Sequence, residues 1–127
     1  MALSKENALN LLCSLEGYHE ALKMLHWSTD NHSRHILTDE IDGDVLEFED
    51  ELAEVVMGKL GEKFGKGDLK ALLPEAEELK GVLDELEKDV NEFIDSLGGE
   101  KGFGGIYNVT DDFLSKIYKW KYLETLS

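Results

Sequence analysis

The stretch 34–61, RHILTDEIDGDVLEFEDELAEVVMGKLG, decides the fold, because apolar residues recur in it at intervals of three or four. This spacing places them on one side of an α-helix. The residues of this stripe are Ile41, Val45, Phe48, Leu52 and Val55. The stretch therefore predicts a long amphipathic helix that packs against other helices through the stripe.

Three further segments have the same period. A first helix is predicted over about 5–29, after Ser4, whose hydroxyl suits an N-cap. A third is predicted over about 75–97, with Pro74 at its first turn, and a fourth from a cap at Asn108 or Thr110 to about 126. No segment alternates with period two. Four helices joined by short connections predict an all-α, four-helix bundle, and 127 residues suit a single domain, 1–127.

The net charge of the chain limits the kinds of molecule that it can bind. The chain has 28 Asp and Glu against 13 Lys and Arg, a net charge of −15, which argues against nucleic acid and anionic membranes. No apolar run approaches the length of a membrane span, and Met1 to Asn7 lack a signal pattern. With one cysteine, Cys13, an intramolecular disulfide is excluded. We expect a cytoplasmic protein.

Candidate metal ligands lie on the polar side of the 34–61 helix. With His35 set at zero, Asp39 lies at about 40°, Asp50 at about 60° and Glu54 at about 100°. The apolar stripe lies at about 200–280°, so these ligands face away from the bundle core. His26, near the end of the first helix, adds a second imidazole. Two imidazoles and three carboxylates form a donor set suited to iron, manganese or zinc.

Apolar residues share this outward face. Leu46, Ala53 and Met57 lie among the carboxylates, within about 40° of His35. Such a mixture predicts burial against another surface, and a two-fold homodimer is the commonest solution. We therefore expect metal ligands from two chains to meet at a dimer interface.

The first helix offers a weaker pair of candidate ligands. Glu16 and His19 form a Glu-x-x-His pair, a carboxylate and an imidazole one helical turn apart, as in di-metal bundles. His19 lies at the flank of the core stripe, on the side of the expected interface. His32, in the connection between the first two helices, is a further candidate.

The pattern of His26-Trp27, then His35 and Asp39, then Asp-x-x-Ala-Glu at 50–54 resembles the Dps-type mini-ferritins of the ferritin-like superfamily. The resemblance implies a ferritin-like fold and a ferroxidase site between two-fold-related subunits. Hydrogen peroxide or dioxygen would oxidise the Fe(II), and the resemblance favours peroxide. Zinc or manganese could substitute for iron, since the donor set suits them as well. The resemblance also implies iron storage in a cage-like homo-oligomer, larger than the dimer.

Site roles follow residue by residue from the same resemblance. His26 and His35 of one chain, with Asp50 and Glu54 of the other, would be both the catalytic residues and the iron ligands. Asp39 would support a second iron, and Trp27 would lie beside the site. The resemblance covers about residues 15–58. The chain departs from the family in a shorter connection between the two histidines and in the lack of a lysine-rich tail.

Two other functions fit parts of the chain. The acidic surface and the outward apolar residues would also suit a metal-free helical bundle that acts as an assembly or protein-interaction module. A nucleotide pyrophosphohydrolase of the all-α class would use Glu47 and Asp50 as its Glu-x-x-Asp motif. That class also needs a Glu-Glu-x-x-Glu motif upstream, which this chain lacks, and it holds magnesium, which prefers oxygen to imidazole.

Overall fold

The computed structural model describes residues 3–127 and confirms an all-α, four-helix bundle. In this range there is no β-strand, and no helix combines the length and the apolar character needed to cross a membrane. The helices are α1 (Lys5–Ser28), α2 (His32–Leu60), α3 (Leu79–Ser96) and α4 (Gly104–Glu124), and a 3₁₀ turn (Lys101–Phe103) precedes α4. As predicted, Ser4 caps α1, its hydroxyl accepting from the Asn7 N–H at 3.0 Å.

Each helix packs against two others, and the neighbouring pairs are α1–α2, α1–α3, α2–α4 and α3–α4. The helices of a pair are antiparallel. In α1 and α3, for example, Tyr18 bonds to Asp89 while Asn7 lies near Ser96. Because α2 and α3 are both antiparallel to α1, they run parallel to each other. Parallel neighbours in the chain need a connection that returns along the bundle, and one such crossover is characteristic of ferritin-like bundles.

The crossover, residues 61–78, corrects the prediction that all connections are short. It runs along the outside of α1, where the Leu72 N–H donates to the Cys13 carbonyl at 3.0 Å. The contact is close enough to require glycine at position 17. A Cβ there would lie 1.7 Å from the Leu72 carbonyl oxygen. Gly17 therefore fixes where the crossover rests on α1.

The start of α3 also differs from the prediction, which placed it at about residue 75. The helix begins at Leu79, and residues 75–78 belong to the crossover. The Glu85 carboxylate accepts hydrogen bonds from the N–H groups of Glu75 at 3.1 Å and Ala76 at 2.7 Å. These bonds hold the chain in an extended approach to the helix, so Pro74 is not in the first turn.

The start of α4 was also predicted wrongly. The helix begins at Gly104 rather than at a cap provided by Asn108 or Thr110. Thr110 is fully buried inside the helix, and its hydroxyl donates to the Ile106 carbonyl at 3.0 Å. A threonine hydroxyl can bond to the preceding turn as well as cap a helix, which is why the residue type misled the prediction.

Apolar side chains from all four helices form one buried cluster at the centre of the bundle. The predicted stripe of α2 lies in it, except that Val56 is buried where Val55 was expected. Between α2 and α4, the rings of Phe48 and Phe113 stack with centroids 3.9 Å apart, and Trp120 meets Phe113 edge-on at 5.6 Å. The outer face of α2 is thereby left for other contacts.

Candidate functional site

His26 and His35 form a reciprocal pair at the turn between α1 and α2. Nδ1 of His26 lies 2.6 Å from the His35 carbonyl oxygen, and Nδ1 of His35 lies 2.7 Å from the His26 carbonyl oxygen. Since a carbonyl oxygen only accepts, both Nδ1 atoms carry the proton. The rings stack with centroids 3.8 Å apart. In the neutral tautomer so defined, Nε2 of each ring keeps its lone pair, which is the form that binds metal.

Thr38 lies beneath the His26–His35 pair, on its buried side. It is fully buried, and its hydroxyl lies 3.1 Å from the His35 carbonyl and 2.9 Å from the Arg34 carbonyl. The hydroxyl also lies 3.5 Å from Nδ1 of His26. The pair is therefore fixed by backbone and by a buried side chain, and it closes the α1–α2 turn.

The predicted carboxylates do not join the imidazoles within one chain. Asp39, Asp50 and Glu54 are exposed on the outer face of α2. Across residues 3–127, no three His, Cys, Asp or Glu side chains are grouped in a way that could hold a metal ion. Of the five predicted ligands, one chain brings together His26 and His35 alone. The apolar residue Leu46, on the same face, is 38% exposed.

Two other residues singled out in the sequence lie near the turn. His32 is exposed, and its ring centroid is 6.4 Å from that of His35. Trp27 is 66% exposed and lines a groove with Met24 and Leu73. The Lys23 amine lies 5.7 Å from the centroid of the indole.

Polar pairs continue along the seam between α1 and α2. Nδ1 of His19 lies 2.6 Å from Oδ1 of Asp42, and neither Asp42 nor Glu49, which faces Glu16, was predicted as part of a site. The residue numbers predict the His19–Asp42 pair once His26 is known to lie opposite His35. In an antiparallel pair, moving seven residues back along α1 matches moving seven residues forward along α2, so the step from His26 to His19 matches the step from His35 to Asp42.

Glu49 is the most perturbed acid of this seam. Its Oε2 atom is buried and has no hydrogen-bond partner among the described residues. Burial of the carboxyl and the neighbouring Glu16 carboxylate, with a smaller effect of Asp50, raise the pKa of Glu49 to about 8. Glu49 is therefore mostly protonated at neutral pH.

Gly43 lies at the middle of α2 on the exposed side. A Cβ at this position would meet nothing within 4 Å. Glycine inside a helix is less favourable than alanine by roughly 0.5–1 kcal/mol. No contact within the described chain therefore accounts for glycine here. The residue lies close to midway between His35 and the segment 50–54.

Together these features define an acidic four-helix bundle with one long crossover, a paired-imidazole turn and a carboxylate-lined outer face. The chain belongs to DUF5856, described as a family of unknown function, whose model matches residues 26–123. All five predicted ligands lie within the matched segment. No curated protein and no solved structure gives a significant match.

Proposed function

We propose that the protein binds Fe(II) between two copies of the chain and oxidises it, in the manner of a mini-ferritin. His26 and His35 of one copy would bind the iron with Asp50 and Glu54 of the other, and Asp39 would support a second iron. Fe(II) is the substrate, and hydrogen peroxide or dioxygen is the oxidant. The single-crossover topology of the bundle supports this assignment.

The reciprocal imidazole pair is the observation that carries the proposal. Metal-binding histidines typically donate their second ring N–H to a carbonyl or carboxylate, which fixes the ring and its tautomer. Both His26 and His35 do this with the other residue's backbone. Two oriented nitrogen donors at one turn are half of an N/O metal site.

The carboxylate ligands that one chain does not bring to His26 and His35 would come from a second copy. One chain does not group three ligands within residues 3–127, yet the outer face of α2 carries exposed carboxylates. If two α2 helices cross antiparallel about a two-fold axis close to Gly43, His35 of each faces the segment 50–54 of the other. Glycine at the axis would let the two backbones approach closely.

Charge makes this dimer dependent on a cation. Each chain carries a net charge of −15, and carboxylates such as Asp39 and Asp50 would face each other across the axis. Like charges in an interface are unfavourable unless an ion lies between them. We therefore expect dimers in the presence of Fe(II) or Zn(II), and monomers after chelation.

The first experiment separates the ligand role of the imidazoles from their structural role. In His26→Asn or His35→Asn, the amide can keep the donor to the backbone carbonyl but removes the metal-binding nitrogen. We expect a thermal midpoint near that of the wild type, with Zn(II) affinity, measured by calorimetry, at least about tenfold weaker. An unchanged affinity in both variants would remove the imidazoles from the proposal.

A mixing experiment tests whether the site is shared between chains. The double variant His26→Asn/His35→Asn and the double variant Asp50→Asn/Glu54→Gln should each lack metal-dependent dimers. Mixed together, they can form a heterodimer that contains one complete site of the two. We expect mixing to restore metal-dependent dimers and Fe(II) oxidation, seen by sedimentation and by ferric absorbance. The variant Asp111→Asn/Asp112→Asn, on exposed residues of α4, is the matched control.

A metal-free assembly module would give different results. Dimers would then form equally with chelator and with Zn(II), and the asparagine variants would assemble like the wild type. That outcome would replace the iron proposal by the interaction module.

A further inference from the structure

An apolar groove lies on the side of α1 that faces the crossover, away from the outer face of α2. Its volume is about 560 Å³, and its apolar lining is formed mainly by Met24, Trp27, Leu73 and Pro74. Met24 is 60% exposed, Trp27 66% and Leu73 65%. Three large apolar side chains exposed in one place are unusual for a surface without a partner.

The walls of the groove are held in place by the chain itself. On one side is the helix α1. On the other, the crossover is anchored by the Leu72 bond to Cys13 and by its contact with Gly17. The Glu85 carboxylate fixes the end of the crossover at Glu75 and Ala76. A preformed groove binds a partner without first having to order its own walls.

The rim of the groove is acidic. Glu20 on α1 and Glu77 on the crossover line it from opposite sides, and Lys23 is the basic residue of the lining. The whole chain adds a net charge of −15. The acidic rim makes a groove-to-groove contact between two copies unfavourable, because two such surfaces would repel. It favours a segment that carries positive charge on both sides of an apolar side chain.

We propose that this groove binds a basic amphipathic helix of a partner protein. Large apolar side chains of the helix would enter between Trp27 and Leu73, and lysine or arginine side chains would pair with Glu20 and Glu77. Trp27 supplies the kind of large aromatic surface that contributes most to such interfaces, and Met24 adapts to the shape of the entering side chain. This inference does not depend on the metal site.

The probe is a helical peptide of about 15 residues, made of lysine and leucine with the leucines at positions i, i+3, i+4 and i+7. Binding is followed by Trp27 emission, which should shift to shorter wavelength as the exposed indole is covered. The second tryptophan, Trp120, is 2% exposed and should change little. Calorimetry gives the affinity independently of the fluorescence.

Two pairs of variants distinguish the groove from the rest of the surface. We expect Met24→Ser/Leu73→Ser to weaken binding about tenfold, whereas Tyr118→Ser/Tyr122→Ser, on exposed aromatics of α4, should leave it within about threefold. Charge is tested in the same way. Glu20→Lys/Glu77→Lys should weaken binding about tenfold, and a control with the same net charge, Glu62→Lys/Glu100→Lys, should do so much less.

Three results would contradict the binding of a basic helix in this groove. If both charge pairs weaken binding equally, the peptide is attracted by net charge alone and the groove has no part in it. If an alanine-for-leucine peptide binds as well, the apolar lining is not used. If a short cationic detergent shifts Trp27 emission and displaces the peptide at equal concentration, the groove is a small-molecule site. Each of these outcomes overturns the helix-binding proposal.

Discussion

The α3–α4 hairpin joins its two helices at the surface by ion pairs, whereas the α1–α2 hairpin joins its helices by pairs of imidazole and carboxyl groups and leaves Met24 and Trp27 exposed. In α3, Val82, Leu86 and Val90 are fully buried. The surface between α3 and α4 holds ion pairs such as Lys121 with Asp84, at 2.8 Å. In the other hairpin, Trp27 is 66% exposed while the Glu49 carboxyl is partly buried beside Glu16.

The difference indicates which hairpin carries residues that the stability of the bundle does not require. A half-buried carboxyl and a glycine in mid-helix each make the isolated bundle less stable, and the exposed indole of Trp27 adds little to its stability. Residues that lower stability are found mainly at functional sites, because selection does not keep them elsewhere. We therefore interpret α3–α4 as the scaffold and α1–α2, with the crossover, as the working surface.

The largest expected effect compares two aromatic residues, one from each region. Phe113→Ala removes a ring that stacks on Phe48 and meets Trp120 in the core. We expect a loss of about 3–5 kcal/mol in the free energy of unfolding. Trp27→Ala, on the exposed surface, should change it by less than about 0.5 kcal/mol. Urea denaturation followed by circular dichroism measures both, and comparable losses would contradict the division into scaffold and surface.

The next effect tests the attachment of the crossover. Gly17→Ala places a methyl group where the Leu72 carbonyl lies, so the crossover must move away from α1. We expect a loss of about 2–4 kcal/mol in the free energy of unfolding. In Gly58→Ala, where a Cβ meets nothing within 4 Å, stability should rise by up to about 1 kcal/mol. A neutral Gly17→Ala would mean that the crossover is held elsewhere.

The sequence predicts the helices of this bundle better than it predicts the contacts between them. The period of apolar residues is a local property of a helix, so it identified α2 and the outward direction of Asp39, Asp50 and Glu54 before any coordinates. Contacts between helices depend on their offset, which is set by the turn. The seam pair His19–Asp42 therefore became visible only once His26 was found opposite His35.

The period of apolar residues does not predict the path of the crossover, for a different reason. Its path is determined by long-range contacts, such as Gly17 against Leu72, that leave no repeating pattern in the chain. Gly61, Gly65 and Gly67 are unfavourable inside a helix, but such residues do not indicate where the chain goes next. The same holds for residues 75–78, where the composition suits a helix but the N–H groups of Glu75 and Ala76 donate to the Glu85 carboxylate instead.

A smaller effect concerns the pH dependence of the seam. The ordinary pKa of a glutamate is 4.5, and that of Glu49 is raised to about 8 in the fold. Between these values the folded state holds more protons than the unfolded state, so this group makes stability fall as pH rises. Glu49→Gln removes that dependence. We expect the variant to be more stable by about 1–2 kcal/mol near pH 9, because solvent screens a partly exposed carboxyl, and nearly equal to the wild type below about pH 4.5.

Denaturation at several pH values measures the difference between the two proteins. Glu51→Gln, on an exposed position of the same helix, is the matched control and should show almost no pH-dependent difference. If Glu49→Gln and the wild type had parallel stability curves from about pH 5 to 9, the carboxyl would not be strained by its surroundings.

The smallest effect on folding has the sharpest consequence for assembly. Gly43→Ala should raise the free energy of unfolding of the monomer by about 0.5–1 kcal/mol, since a methyl group there meets nothing within the chain. Gly43→Leu should fold equally well but hold two α2 helices apart if they cross at this residue. We then expect Zn(II)-dependent dimers to weaken at least about tenfold in Gly43→Leu and to persist in Gly58→Leu, an equally open position of the same helix. Sedimentation with and without chelator measures this, and equal dimerisation of the two leucine variants would move the two-fold axis away from Gly43.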